Sequence, residues 1–149
     1  MDQIPSEKLD PENLKQLYDE LYEKSAPRRL PKTFEFVVRK RMSVFFGTSF
    51  EEKQVVNVPK KFDMVSSDGK IVGEAKRYTR TKNNSGITST IAEYVWLLEK
   101  TPGEKKFIVF GGEREIPEKW LKKHRHLLDG NLSFYFYDME TDVLEELNK

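Results

Sequence analysis

"FDMVSSDGKIVGEAK", residues 62–76, sets two short apolar runs on either side of an Asp-Gly pair. Asp-Gly between alternating apolar residues is a strong short-range hairpin signal. With Asp68-Gly69 as a two-residue turn, Ser67 faces Lys70 and every other pair counts outward from there. Asp63 then lies directly opposite Glu74, with Cβ atoms roughly 4.5–5.5 Å apart. Side chains alternate between the two faces of a strand. Lys76 therefore joins Asp63 and Glu74 on one face, around Val65 and Val72, whereas Phe62, Met64, Ile71 and Ala75 are expected on the other.

Two ionised carboxylates held opposite each other repel, and a cation between them relieves the repulsion. Lys76 supplies part of that charge. A divalent ion that prefers oxygen ligands does so more completely, and Mg²⁺ (or Mn²⁺) keeps several waters and accepts substrate phosphate oxygens. Such an ion polarises a phosphoryl group and makes its bound water more acidic. Lys76, a compact point charge, could position that water or stabilise the charge developing on phosphorus. A straight continuation of the strand brings Tyr78, Arg80 and Lys82 along the same face, where they would meet nucleic-acid phosphates, Tyr78 stacking on a base or sugar. The plainer description of these residues is a solvent-facing lysine–carboxylate cluster of little energetic consequence.

The rest of the chain supplies the frame. "DPENLKQLYDELYEKS" (10–25) opens with an N-cap Asp and a first-turn Pro, and Leu14, Leu17, Tyr18, Leu21 and Tyr22 share a helical face. "APRRLP" (26–31) reads as a linker. A helix is expected over 33–46, with Phe34, Val37, Val38, Met42 and Phe45 as its buried stripe and Gly47 ending it. "KQVVNVP" (53–59) reads as a β-branched strand, 79–86 as a basic loop, and 87–100 as a helix burying Ile87, Ile91, Tyr94, Val95 and Leu98. "KFIVF" (106–110) has the unbroken apolar character of a strand covered on both faces. A further helix starts at Pro117 and ends near Asp129-Gly130, "LSFYFY" (132–137) is the last strand, and the tail is a short polar helix or frayed. The fold class is α/β: a three-layer domain with a mixed central sheet flanked by helices over 32–149, preceded by an extra N-terminal helix and linker over 1–31.

Composition narrows the function. The chain has 149 residues, 37% hydrophobic and 34% charged, with no cysteine and two histidines. Without cysteine there is no disulfide, thiolate nucleophile or thiolate zinc site. No run of 18 apolar residues spans a membrane, and the acidic start "MDQIPSEKLD" is unlike a targeting peptide, so the cytoplasm is the expected compartment. Net charge is only +1, but residues 53–82 carry eight basic side chains against three acidic ones, and 138–149 carry five acids against one lysine. A polyanion-binding face with an acidic back has this asymmetry, and so does an ordinary solvated surface.

Asp-x10-Glu-x-Lys across a hairpin, after one helix and before a helix–strand unit, resembles the PD-(D/E)XK nuclease superfamily, which includes restriction endonucleases and Holliday-junction resolvases. The resemblance covers about residues 33–111. It implies a restriction-endonuclease-like fold and Mg²⁺- or Mn²⁺-dependent hydrolysis of phosphodiester bonds, with DNA as partner. Asp63 and Glu74 would be metal ligands, the backbone carbonyl of Ala75 a third, and Lys76 the catalytic lysine. Glu35 in "TFEFVV" matches a helical Glu that many members carry; an acid in the first turn of a helix also suits its dipole. Phe62 stands where the motif has Pro, and Thr90 where related helices have Gln, although Tyr94 fits the end of that pattern. His124 and His126 diverge by about 200° on a helix and are expected at the surface. Trp96 and Trp120 are expected in the core or in a dimer contact, and a homodimer would suit cleavage of both strands. A binding module that does not cleave, and a protein scaffold using residues 10–25, are the rival readings.

Overall fold

The computed structural model describes residues 30–79 and 85–148. Among them α1 (Leu30–Phe46) is followed by β1 (Phe50–Gln54), β2 (Lys61–Ser66) and β3 (Ile71–Tyr78). Then come α2 (Ser85–Lys100), β4 (Lys105–Gly112), α3 (Glu115–His124) with a 3₁₀ turn (Arg125–Leu127), β5 (Leu132–Asp138) and β6 (Val143–Glu146). The expected helix over 10–25, residues 26–29 of the linker and most of the basic loop lie outside the described residues; Leu30 and Pro31, expected in the linker, instead open α1, three residues before the helix start expected at 33.

The strands form one sheet in the order β1-β2-β3-β4-β5-β6. β2 runs antiparallel to both β1 and β3, β3, β4 and β5 run parallel, and β6 returns antiparallel to β5. This is the mixed α/β sheet that the element order predicts. Two parallel crossovers advancing in the same direction along a sheet place both helices on one face, given the right-handed rule. Ile91, Val95 and Leu98 of α2 and Trp120 and Leu121 of α3 accordingly share a core with Ile108, Phe110, Phe134 and Phe136. The alternate residues Phe107, Val109, Tyr135 and Tyr137 pack on Phe34, Val37, Val38 and Met42 of α1, on the other face. Both faces of β4 and β5 are thus covered, which is why their sequences are almost continuously apolar.

Local chemistry explains the boundaries. Gly47, at φ +66°, ends α1 in a left-handed turn. Its N–H donates to Val44 O, and that of Thr48 to Ser43 O, closing the last turn as a Schellman motif. Phe45, expected in the buried stripe, is instead 49% exposed at the helix edge, with its ring against Tyr135.

The strand expected over 53–59 lies earlier, at Phe50–Gln54. Asn57 adopts φ +68°, Val58 N–H donates to Val55 O, and the Gln54 amide donates to Val58 O, so the Val-rich segment is a turn. Pairing with β2 outweighs β-branched propensity there.

The tail is a strand and not a helix. Asp142, at φ +57°, turns the chain; Tyr137 Oη donates to its Oδ1 at 2.5 Å and Arg41 Nε of α1 lies 3.2 Å from the same oxygen. The Asn148 side chain then bonds the backbone of Leu132 and Phe134, extending the edge.

The hairpin keeps its expected register over a wider turn. Met64 pairs with Gly73 and Val65 with Val72, so Asp63 and Glu74 are the next positions to face each other. The loop spans residues 67–70, with Gly69 at φ +73° and the Asp68 carboxylate accepting from Ser66 Oγ and Lys70 N–H.

The expected division of faces needs one correction. Glu51 pairs with Val65 but Lys53 with Phe62, so β2 carries one residue more than β1 over this interval: a β-bulge at Asp63–Met64. The extra residue turns Phe62 toward the α2 side with Val65 and Val72, while Met64, Ile71 and Ala75 pack on the α1 side. Gly73 sits on that side directly over Phe107, whose ring leaves no room for a Cβ.

Candidate active site

Bulges bend a strand and re-aim its side chains, and here the bend opens a fork. Beyond Met64–Gly73 the ladder between β2 and β3 is carried by carboxylates. The Asp63 N–H donates to Glu74 Oε1 at 2.8 Å, and the Ala75 N–H donates to Asp63 Oδ2 at 2.9 Å. Each acid satisfies a backbone donor of the opposite strand. Arg39 of α1 donates from Nε to Asp63 O at 3.2 Å, tying the bulge to the helix. In an antiparallel ribbon the N–H and C=O of a residue leave the strand on the same side. The Ala75 carbonyl therefore points into the fork with its N–H.

Glu74 is fully buried and Asp63 nearly so. Glu74 Oε2 accepts no hydrogen bond, yet two ammonium groups approach it: Lys76 Nζ and Lys60 Nζ, each at 3.5 Å. Both also lie over the Tyr94 ring of α2, at 4.2 Å and 4.8 Å from its centroid. Burial, and then repulsion from Asp63, push the Glu74 carboxyl up to about 7 against the pull of the two lysines. Burial alone would lower the Lys76 ammonium; Tyr94, Glu74 and Asp63 outweigh it and raise the group above the usual lysine range.

Asp63, Glu74 and Lys76, singled out in the sequence, are brought together. Ala75 joins them through its backbone. Glu35 is half-buried on α1; burial, followed by the charge of Asp63, raises its carboxyl. It feels the site without completing it, since among the described residues no group of three or more His, Asp or Glu is placed to hold an ion. Tyr78 packs its ring on Phe110 at 6.3 Å between centroids, and its buried hydroxyl has no hydrogen-bond partner. Burial above all pushes that hydroxyl up to about 12. Arg80 and Lys82 lie outside the described residues.

Lys60 and Arg39 were missed. Alternation from Asp63 puts Lys60 on the opposite face, and only the bulge, invisible in residue types, restores it to the acids. Of the remaining candidates, Trp120 is buried and contacts His124, whereas Trp96 and His126 are exposed.

The donors fit a hydrated hard cation: two carboxylates, one with an oxygen that no hydrogen bond occupies, beside a backbone carbonyl. Such an ion needs few protein ligands because it keeps water. A cavity of about 500 Å³ lies elsewhere, between α2 and α3, floored by Ile87, Ile91, Ile116 and Trp120. None of the acidic pair lines it, so the chemistry and not the volume marks the candidate site. The chain finds no match among protein-family models, curated proteins or solved structures.

Proposed function

We propose that this protein is a metal-dependent nuclease of restriction-endonuclease-like fold, hydrolysing phosphodiester bonds in DNA. The observation that carries the reading is the fork itself: acids from two strands interlocked across a β-bulge, with Lys76 against the unbonded oxygen of Glu74. Asp63, Glu74 and the Ala75 carbonyl would hold Mg²⁺ or Mn²⁺. When bound, such an ion supplies a polarised phosphoryl group and an acidic water. The chain's own residues do the rest. The hydrogen bonds from Asp63 and Ala75 N–H fix the rotamers of both acids, so the site is organised before substrate arrives. Lys76, held by Tyr94 and Glu74, keeps its proton and offers a fixed positive charge to the phosphate.

Titrating Mn²⁺ into the purified chain by calorimetry should give saturable binding, and plasmid nicking should require the same ion. Asp63→Ala should abolish both. If the wild-type chain neither binds Mn²⁺ nor cuts DNA or RNA in any form, the proposal is wrong.

One observation favours a second reading, a nucleic-acid-binding module that does not cleave. Lys60 and Lys76 already neutralise the pair, as they would in a purely structural ion cluster. That reading expects salt-dependent DNA affinity that Asp63→Ala leaves intact.

A further inference from the structure

The nuclease motif accounts for one lysine, and the structure has two. Lys60 and Lys76 each stand 3.5 Å from the same carboxylate oxygen and over the same aromatic ring. They are not equivalent. Lys76 belongs to β3, in the middle of the sheet, with Phe110 of β4 as its pair. It lies nearer the Tyr94 ring, at 4.2 Å against 4.8 Å for Lys60. Lys60 sits outside the ladder, in the bend after Pro59, with its N–H bonded to Val58 O. Its ammonium also donates to Lys61 O at 3.0 Å.

Charge counting then limits what can coexist. With both acids ionised, the charges of Asp63 and Glu74 match those of Lys60 and Lys76. A divalent cation on the two acids leaves that balance in excess by two positive charges in a largely buried volume, where unpaired charge is heavily penalised. The ammonium least held by the fold relieves the excess by leaving.

We infer that Lys60 is a placeholder cation: it occupies the Glu74 oxygen when no metal is bound, yields it on metal binding, and turns its ammonium to a phosphate of the nucleic-acid substrate. This inference rests on the nuclease reading above and adds to it a positioning residue outside the motif. Lys60 would act twice, first keeping the buried acids from repelling each other, then binding substrate only where metal is already present.

The test uses the full chain and Lys60→Met, which keeps the length of the stem and removes the charge. Mn²⁺ alone, titrated by calorimetry, should bind K60M more tightly, on the order of tenfold, the lower end of what altering an outer partner does to metal affinity. Lys61→Met, which removes the exposed neighbouring charge, should leave Mn²⁺ affinity unchanged, and Lys60→Arg should restore the wild-type value. Binding of a labelled DNA duplex is then measured against salt in Ca²⁺ and in EDTA. The slope of log affinity against log salt should be shallower for K60M by about 0.9, one phosphate contact, in Ca²⁺ only. A merely structural Lys60 predicts the opposite sign, with K60M binding both Mn²⁺ and DNA more weakly. Equal or weaker Mn²⁺ binding by K60M, or a slope difference that persists in EDTA, overturns the inference while leaving the nuclease reading standing. Absence of Mn²⁺ binding by the wild-type chain overturns both.

Discussion

Replacing Glu74 with glutamine should change how the stability of the metal-free protein depends on pH. The Glu74 carboxyl rises from 4.5 to about 7 in the fold because it is buried and faces Asp63. The folded state therefore holds this proton more tightly than the unfolded chain does. Stability contributed by the protonated group is fully present below pH 4.5 and is lost as pH rises toward 7. At about 1.4 kcal/mol for each factor of ten in proton affinity, the loss over that window is about 3 kcal/mol. Glutamine keeps an acceptor for the Asp63 N–H but has no proton to lose. It also sets an amide against two ammonium groups, an offset present at every pH, so the difference in slope and not the absolute stability is the readout. Urea unfolding followed by circular dichroism, in EDTA at pH 5, 6, 7 and 8, gives the free energy for both proteins. The wild-type value should fall relative to that of E74Q by about 2–3 kcal/mol between pH 5 and 8. Carboxylates elsewhere, such as Asp68 and Glu145 with lowered values, titrate alike in both proteins and cancel. Curves that stay parallel across the range would mean that Glu74 is ionised throughout, held by Lys60 and Lys76 against its burial.

Gly73→Ala would place a methyl 2.2 Å from the Phe107 ring carbon. Overpacking of that kind should lower thermal stability by about 1–3 kcal/mol, and an unchanged melting temperature would mean that the ring can move aside freely. Asp142→Ala removes the acceptor of Tyr137 Oη and the partner of Arg41. Because Arg41 keeps some contact with water, the expected cost is about 2–3 kcal/mol, below that of a fully buried pair. A loss under about 0.5 kcal/mol in urea unfolding would show that β6 and α1 are held by packing alone.

The fold was legible where the pattern and the burial have the same cause. Phe107 to Phe110 are apolar without interruption because α1 covers one side of β4 and α2 and α3 the other. Gly47 ends α1 where a residue free to take positive φ was expected. Residues 53–59 and the tail misled for opposite reasons. Val55, Val56 and Val58 are strand formers by type, but Asn57 turns them and Val56 is 80% exposed. The tail is acidic enough to read as a polar helix, yet Arg114 forks onto Glu145 and Asn148 bonds across to β5, contacts that exist only after the sheet is built.

The candidate site divides along the same line. An Asp-Gly turn fixes which residues face each other, and for that reason Asp63 and Glu74 meet although the turn is wider than two residues. Facing register is not the same as sharing a face. The two acids meet through the backbone donors that the bulge exposes, Asp63 N–H and Ala75 N–H, and these are absent from any pattern of side chains. The one-residue excess in β2 is read only against β1, as a mismatch between Glu51–Val65 and Lys53–Phe62. Lys60 follows from that mismatch: without the extra residue it would lie on the α1 side, away from Glu74 and Tyr94. A deletion that straightened β2 would therefore move Lys60 off the acids while leaving every motif residue in the sequence. Separating the motif from the fork in this way distinguishes a site made by residue types from one made by the bend that brings them together.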